Sequence, residues 1–241
     1  MNNSTTGGGT VGNGKRPANR LNTKNRPTGA AGAGKKPSAK PNGGGGQGAS
    51  PKRRPATARE VALDVLVKVE KEQAFSNLVL NSALQHAELS RPDAGLATEL
   101  VYGTIQRKLS LDYALAELAS KGLSKLEPWV LQLLRLSAYQ ILFLDRVPAH
   151  AAVNEAVTIA KRRGHAGISG MVNGMLRNLI RRRDELSPIA VAGQPGLSPA
   201  RRISLRHSYP EWLAARWIAA YGEAAAERIC AAGNEPPRRC A

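Results

Sequence analysis

Hydrophobic residues recur every three or four positions from residue 57 onward, which is the spacing of a helix with one buried face. The pattern predicts seven helices, at about 57–69, 77–86, 93–107, 111–119, 128–144, 148–163 and 168–183. The last one has the clearest period, and no later segment shows the period of two that a half-buried strand requires. The hydrophobic pattern therefore predicts an all-α fold.

Residues that cap helix ends support these boundaries. Thr57 and Glu60 fit the S/T-x-x-E capping box, in which each side chain hydrogen-bonds to the backbone amide of the other residue. Ser208 and Glu211 fit the same motif around Pro210. With the composition, these signals predict four segments: a disordered Gly-, Pro- and Lys/Arg-rich tail (1–55), a helical bundle (56–187), a linker (188–197) and a short helical connector (198–241).

The tail has the composition of a segment that does not fold by itself. Residues 1–55 contain 13 Gly, 6 Pro, 11 Lys or Arg and no acidic residue. Such a segment buries too little apolar surface to offset the loss of chain entropy, so we expect it to be disordered. Two interpretations remain open, a solubilising extension or an arm that binds RNA without sequence preference.

The overall charge points to a polyanionic partner but is unevenly distributed. The 241 residues include 35 Lys or Arg and 18 Asp or Glu, which gives a net charge of +17. Because the tail carries 11 of the basic residues and none of the acidic ones, the rest of the chain has a net charge of only +6. A charge of this size is typical of proteins that bind nucleic acid.

Two basic clusters lie at the ends of predicted helices in the bundle. The first contains Lys161, Arg162 and Arg163, and the second contains Arg177, Arg181, Arg182 and Arg183. Cations at a helix C-terminus are stabilised by the helix dipole, which explains some of them. No Asp or Glu lies between Ala156 and Arg183, however, and so many cations without an acid predict contacts with RNA phosphates.

A third basic group surrounds the start of the first helix. Arg53 and Arg54 precede that helix, and Arg59 lies in its first turn. A cation at a helix N-terminus opposes the dipole, so its presence there favours a phosphate ligand, although a solvated arginine explains Arg59 equally well. The predicted RNA-binding residues are therefore Arg53, Arg54, Arg59, Lys161, Arg162, Arg163, Arg177, Arg181 and Arg182.

Several other classes of protein are excluded by the composition. Two cysteines and four scattered histidines are too few for a disulfide scaffold or a zinc site, and they suit a reducing cytoplasm. The most apolar run, residues 129–144, is shorter than the roughly 20 residues of a membrane span, so we expect a buried helix and no membrane partner. Cys230 is expected to be a buried, unreactive thiol. We therefore predict no catalytic residue, no cofactor site and no metal site.

Five segments of the bundle resemble one known family. They are Ala58-Arg59-Glu60-Val61-Ala62-Leu63, Glu99-Leu100-Val101-Tyr102-Gly103, the central stretch 133–142, the stretch 147–161, and Val172-Asn173-Gly174-Met175-Leu176-Arg177. Over roughly residues 53–186 the chain is similar to the NusB family. The resemblance implies a NusB-like helical bundle that binds RNA.

Two branches of that family share the fold. One is the transcription antitermination factors, and the other is the N-terminal domain of the bacterial 16S rRNA cytosine-C5 methyltransferases (the RsmB, Sun or Fmu family). The segments at 207–212 and 234–237 resemble the stretch that joins this domain to the methyltransferase part. An antitermination factor is expected to end soon after residue 186, so the resemblance favours the methyltransferase branch.

The methyltransferase branch implies S-adenosylmethionine as cofactor, held by a glycine-rich loop, and two active-site cysteines in Pro-Cys contexts. No position of this chain matches those motifs, so we expect a chain truncated before the catalytic domain and inactive by itself. The expected partners are RNA, namely 16S rRNA, and either a methyltransferase domain in the same chain or a ribosomal protein. Two alternatives stay open: an antitermination factor that binds RNA with a ribosomal protein, and a structural module that docks on the methyltransferase domain without touching RNA.

Overall fold

The predicted helices are present in the structure, a computed structural model that describes residues 56–235. The bundle contains α1 (Ala58–Glu72), α2 (Ser76–His86), α3 (Arg91–Gln106), α4 (Lys108–Ala116), α5 (Pro128–Phe143), α6 (Ala149–Arg163), α7 (Ala166–Arg181) and α8 (Arg183–Leu186). It is followed by α9 (Pro188–Ala192), α10 (Pro199–His207), α11 (Glu211–Tyr221) and α12 (Glu223–Ala232). A 3-10 helix, Leu123–Lys125, precedes α5. No strand occurs between residues 56 and 235, which confirms the all-α prediction for that range.

The centre of the bundle is α5, which packs against α1, α3, α4, α6 and α7. Leu133, Leu134 and Leu136 of this helix have almost no exposed surface, so it is apolar on nearly all sides because it has neighbours on nearly all sides. The most apolar run of the sequence is thus a core helix, as predicted. Among the described residues, no helix is both long and apolar enough to cross a membrane.

One charged side chain lies inside this core. Arg135 of α5 is only 5% exposed, and its Nε and Nη2 donate to the two carboxylate oxygens of Asp112 at 2.6 and 2.8 Å. A buried guanidinium requires such a partner, because an unpaired charge in the interior costs several kcal/mol. The pair therefore links α4 to the central helix α5.

The local signals for helix ends were partly right. The capping box at α1 is confirmed, with the Glu60 amide donating to Thr57 Oγ1 and the Thr57 amide donating to Glu60 Oε2. The helix predicted at 111–119 begins earlier, at Lys108. The stretch 188–197 holds a short helix, α9, because Ser187 accepts a hydrogen bond from the Ala190 amide and Pro188 occupies the first helical position.

The capping box predicted at Ser208 and Glu211 is wrong. Ser208 ends α10 in a left-handed conformation, with φ of 64°, and its hydroxyl points to a different helix. Ser208 Oγ accepts from the amides of Leu109 and Ser110 at 2.8 and 3.3 Å, so it caps the start of α4 from the connector. The Ser110 hydroxyl in turn donates to the Leu205 carbonyl at 2.7 Å, which closes a reciprocal link between α4 and α10.

Candidate functional site

The two basic clusters predicted on α6 and α7 lie at opposite ends of a helical hairpin. The helices pack along each other and are joined by a short turn at Gly164 and His165. Lys161, at the end of α6, is therefore next to that turn, whereas Arg181 is at the far end of α7. Since α7 has 16 residues, the two ends are about 24 Å apart at 1.5 Å per residue. The cations that form one acid-free set in the sequence are thus divided between the two ends of the hairpin.

At the turn end, two of the three cations are paired with carboxylates of α1. Arg162 Nη1 donates to Glu60 Oε1 at 2.5 Å, and Arg163 Nη1 donates to Asp64 Oδ1 at 2.6 Å. Lys161 is exposed and forms no ion pair within the described part of the chain. Only Lys161 therefore presents an uncompensated charge at this end.

At the far end, the cations have mixed partners. Arg177 Nε donates to Asn173 Oδ1 at 3.0 Å, and Arg181 donates to Asn178 Oδ1. These amide oxygens hold the guanidinium groups in place without neutralising them. Arg182 pairs with Glu185 at 2.9 Å and Arg183 lies 3.9 Å from Asp145, so these two are at least partly compensated.

The absence of acids between residues 156 and 183 in the sequence is therefore offset in the fold. Four of the seven cations face carboxylates from α1, α8 and the loop after α5. The three that face none among residues 56–235 are Lys161, Arg177 and Arg181, and all three are exposed. These three are the best candidates for contacts with an external anion.

Arg59 has a partner that the sequence did not reveal. Its Nε donates to Oε1 of the buried Gln140 on α5 at 2.7 Å. This contact holds the side chain against the end of α5 and leaves the terminal nitrogens of a guanidinium, which has five N–H groups, for other acceptors. Arg53 and Arg54 lie outside the described residues, so their predicted role stays a prediction.

A second candidate site lies on α3 and was not predicted from the sequence. Five residues at helical spacing form one stripe of that helix and line a groove of about 440 Å³. They are Glu99, Tyr102, Gly103, Gln106 and Arg107. The spacing i, i+3, i+4, i+7, i+8 was the signal in the sequence that could have found the stripe.

The floor of this groove is Tyr139 of α5, which lies directly against α3. A Cβ at Gly103 would overlap the Tyr139 ring, so only glycine allows this approach. The Tyr139 hydroxyl donates to Glu99 Oε1 at 2.5 Å. Burial, together with the hydrogen bond to Glu99, raises the pKa of Tyr139 well above its usual value, so the hydroxyl remains a donor.

Arg107 forms one end of the groove. Its guanidinium lies 5.0 Å from the centre of the Phe143 ring, a cation–π contact that leaves the N–H groups free to donate. Partial burial lowers the pKa of Arg107, and no described residue accepts a hydrogen bond from its guanidinium. Arg107 is therefore a half-buried cation whose donors face the groove.

No other chemistry is evident between residues 56 and 235. No group of three or more His, Cys, Asp or Glu side chains there is arranged to hold a metal ion. Cys230 is buried, and burial raises the pKa of its thiol, which agrees with the predicted unreactive cysteine.

The described helices match a family model. The model described as the NusB family matches residues 56–181, which is more than half of the chain. The chain belongs to the NusB family. The helices α1 to α7 thus form the NusB part, and α10 to α12 lie beyond it.

Relatives of two kinds contain this NusB part. The chain is 46% identical over 187 residues to the probable ribosomal RNA small subunit methyltransferase B of Bacillus subtilis, covering 76% of this chain and 39% of that protein. It is 36% identical over 129 residues to the transcription antitermination protein NusB of Bacillus licheniformis, covering 53% of this chain and 95% of that protein. The chain thus spans about two fifths of the length of its methyltransferase relative.

One solved structure agrees with the helix arrangement. The crystal structure of PH0851 superposes with a TM-score of 0.55 at 15% identity, over 77% of this chain and 40% of that one. At this identity the likeness concerns the fold alone. The superposed share is larger than the NusB part, so the likeness in fold extends to helices outside it.

Proposed function

We propose that this chain is the RNA-binding, NusB-like part of a 16S rRNA cytosine-C5 methyltransferase and helps to position rRNA for methylation. The observation that supports RNA binding most directly is that Lys161, Arg177 and Arg181 are exposed and face no carboxylate of the described residues. Arginine and lysine in this state bind phosphates and release counterions, which gives RNA affinity without sequence preference. Arg59, anchored on Gln140, extends the proposed surface toward α1.

The choice of the methyltransferase branch is supported by the extent of the matches. The Bacillus subtilis methyltransferase matches 187 residues, whereas the Bacillus licheniformis antitermination protein matches 129. A match of 187 residues is longer than the NusB part, residues 56–181, so it extends into chain outside that part. The methyltransferase therefore shares more of this chain than the antitermination protein does.

Methyl transfer itself would require groups that the described residues do not supply. S-adenosylmethionine, the cofactor implied by this branch, is expected on a glycine-rich loop after a strand, and residues 56–235 contain no strand. These residues therefore do not fit the cofactor, and we derive no catalytic step for them. Their proposed role is to bind and orient RNA for a catalytic domain.

The proposal is tested by titrating the full chain with a labelled 16S rRNA fragment. Arg177→Ala with Arg181→Ala should weaken binding and make it less steeply dependent on salt, by about one unit of slope for each phosphate that is no longer bound. Arg216→Ala with Arg228→Ala is the matched control, because it removes the same charge from exposed residues of the connector.

RNA affinity should fall in the hairpin variant, Arg177→Ala with Arg181→Ala, and stay closer to that of the wild-type chain in the connector variant. Equal affinities for both, or no preference of the wild-type chain over a charge-matched peptide, would refute RNA binding by the hairpin. That result would support the alternative in which the NusB part only docks on a methyltransferase domain.

The second candidate is a transcription antitermination factor that binds RNA together with a ribosomal protein. It is favoured by the match over 95% of the Bacillus licheniformis protein. Tight association with ribosomal protein S10 in a pull-down, retained after removal of residues 198–241, would favour this function over the first.

A further inference from the structure

The groove on α3 carries chemistry that the phosphate-binding surface lacks. Glu99 provides an acceptor, Arg107 provides donors, and Tyr102, which also lines the groove, is 42% exposed. Proteins recognise the bases of single-stranded RNA with exposed aromatic rings placed beside hydrogen-bond donors and acceptors. A surface that served only phosphates would present cations alone.

The polar groups of the groove are held in fixed positions. Glu99 is oriented by the Tyr139 hydroxyl, and Arg107 is held over Phe143. Gln106 donates from Nε2 to the Gly233 carbonyl at 3.3 Å, so the end of α12 closes one side of the groove. A site whose side chains are already ordered loses less entropy when a ligand binds.

The groove and Arg59 are both supported by α5. Tyr139, on the floor of the groove, and Gln140, whose side chain holds Arg59, are consecutive residues of that helix. Consecutive residues of a helix point about 100° apart, so the two places lie at the same level of α5 but on different sides of it.

We propose that this groove binds the base of one unpaired nucleotide of single-stranded RNA, an inference that rests on the proposed RNA binding and deepens it. The base stacks on Tyr102, Arg107 donates to its carbonyl or ring-nitrogen acceptors, and Glu99 accepts from its amino or imino group. A phosphate is disfavoured there, because Glu99 and Glu235 line the groove together with Arg107. A base carries both donors and acceptors and so matches both signs of charge.

The test compares Tyr102→Ala with Tyr102→Phe in the full chain. The probes are a fluorescein-labelled single strand of about ten nucleotides and the same strand annealed to its complement. Tyr102→Ala should weaken binding of the single strand about ten-fold, because the base no longer has a ring to stack on. Binding of the duplex and the salt dependence should not change, and Tyr102→Phe should bind like the wild-type chain.

A second variant tests the polar contact. Arg107→Lys keeps the charge but loses the planar fork that makes paired hydrogen bonds, so it should reduce the preference among single strands of different base composition. Its salt dependence should equal that of the wild-type chain. Circular dichroism and thermal unfolding of each variant show whether the fold is retained.

The outcomes separate this inference from the proposed function. If the wild-type chain binds RNA and Arg177→Ala with Arg181→Ala weakens it, but Tyr102→Ala does not, the groove is not a base site and RNA binding stands. If the wild-type chain binds neither probe, the proposed function fails and the groove proposal with it. If Tyr102→Ala weakens only association with a protein partner, the groove is a protein-docking surface and the base site is refuted.

Discussion

The bundle and the connector differ in the size of their apolar cores. The bundle has a continuous core of fully buried leucines that includes Leu100, Leu133 and Leu176. The connector has a smaller cluster of four buried residues, Ile203, Ala214, Ala226 and Cys230, against which the partly buried Tyr209, Trp217 and Ile218 pack. Burial of apolar surface contributes about 25 cal/mol per Å², so a cluster with so few fully buried side chains contributes far less. The bundle can therefore hold its own fold, whereas the connector depends on its attachment.

The attachment combines packing of α10 against α4 with hydrogen bonds from α3 and α4. Ser208 caps two amides of α4, the Ser110 hydroxyl bonds to the Leu205 carbonyl, and Gln106 reaches the carbonyl of Gly233. These contacts place the connector beside the groove on α3. In the proposed methyltransferase they would also set the direction in which the chain leaves the NusB part.

The largest expected effect is loss of a core leucine in the bundle. Leu133→Ala should reduce the free energy of unfolding of the whole chain by about 2–5 kcal/mol, because it leaves a cavity in α5. Leu78→Ala, at a position that is 62% exposed, is the matched control and should change it by less than about 0.5 kcal/mol. Urea unfolding followed by circular dichroism measures both.

The same kind of substitution in the connector should act locally. Ile203→Ala is expected to expose the amides of α10 to α12 to hydrogen exchange while those of α5 remain protected. Equal loss of protection in α5 and α10 would show instead that the bundle and the connector unfold as one unit.

The next largest effect is expected from loss of the Ser208 cap, which joins the connector to α4 of the bundle. Ser208→Ala removes the side-chain acceptor of the Leu109 and Ser110 amides, so it should cost about 1 kcal/mol. Hydrogen exchange should speed up first at these two amides. Ser208→Asn is the rescue variant, since asparagine tolerates the left-handed backbone and carries an acceptor. Failure of the two amides to respond would show that Ser208 does not hold the connector.

The structural features that depend on residues close together in the sequence were predicted correctly. The seven predicted helices and the capping box at Thr57 follow from contacts within a few positions, and both are confirmed. The NusB resemblance added the arrangement of those helices. The helix at α9 was missed because Pro and Gly near it were read as a linker, although Ser187 with Pro188 was a valid start signal.

Contacts between distant positions were not predictable from spacing. Arg162 pairs with Glu60 across 102 positions, and Ser208 bonds to the Leu109 amide across 99. The acid-free stretch around Lys161 therefore gave no indication that carboxylates of α1 would neutralise its neighbours. The groove was missed for the same reason, since the approach of Tyr139 to Gly103 joins α3 to α5.

A smaller effect is expected from acid, and it should fall on the connector. Burial lowers the pKa of His207 below 6.5, with Glu227 on α12 opposing the shift and Arg206 and Arg107 adding to it. The unfolded chain then binds a proton at a higher pH than the folded chain does. The stability that His207 provides is thus present above pH 6.5 and is lost as the pH falls through the lowered pKa.

Hydrogen exchange of α10 and α12 between pH 7.5 and about 5.5 measures this effect. His207→Gln should flatten the pH dependence, whereas His150→Gln, at an exposed position of α6, should leave it in place. An unchanged pH dependence in His207→Gln would assign the effect to other groups.

The smallest effects should come from surface ion pairs, and they should be equal in the two regions. Arg182 pairs with Glu185 at 2.9 Å in the bundle, and Arg202 pairs with Glu223 at 2.6 Å in the connector, with all four side chains at least 40% exposed. Each arginine-to-alanine change should alter the free energy of unfolding by less than about 0.5 kcal/mol, since solvent screens such pairs. A loss above about 1 kcal/mol for Arg202→Ala alone, with faster exchange in α10 and α12, would mean that ion pairs hold the connector. The Ser208 cap would then contribute less to the connector than its ion pairs do. The two regions would differ in electrostatics as well as in the size of their cores.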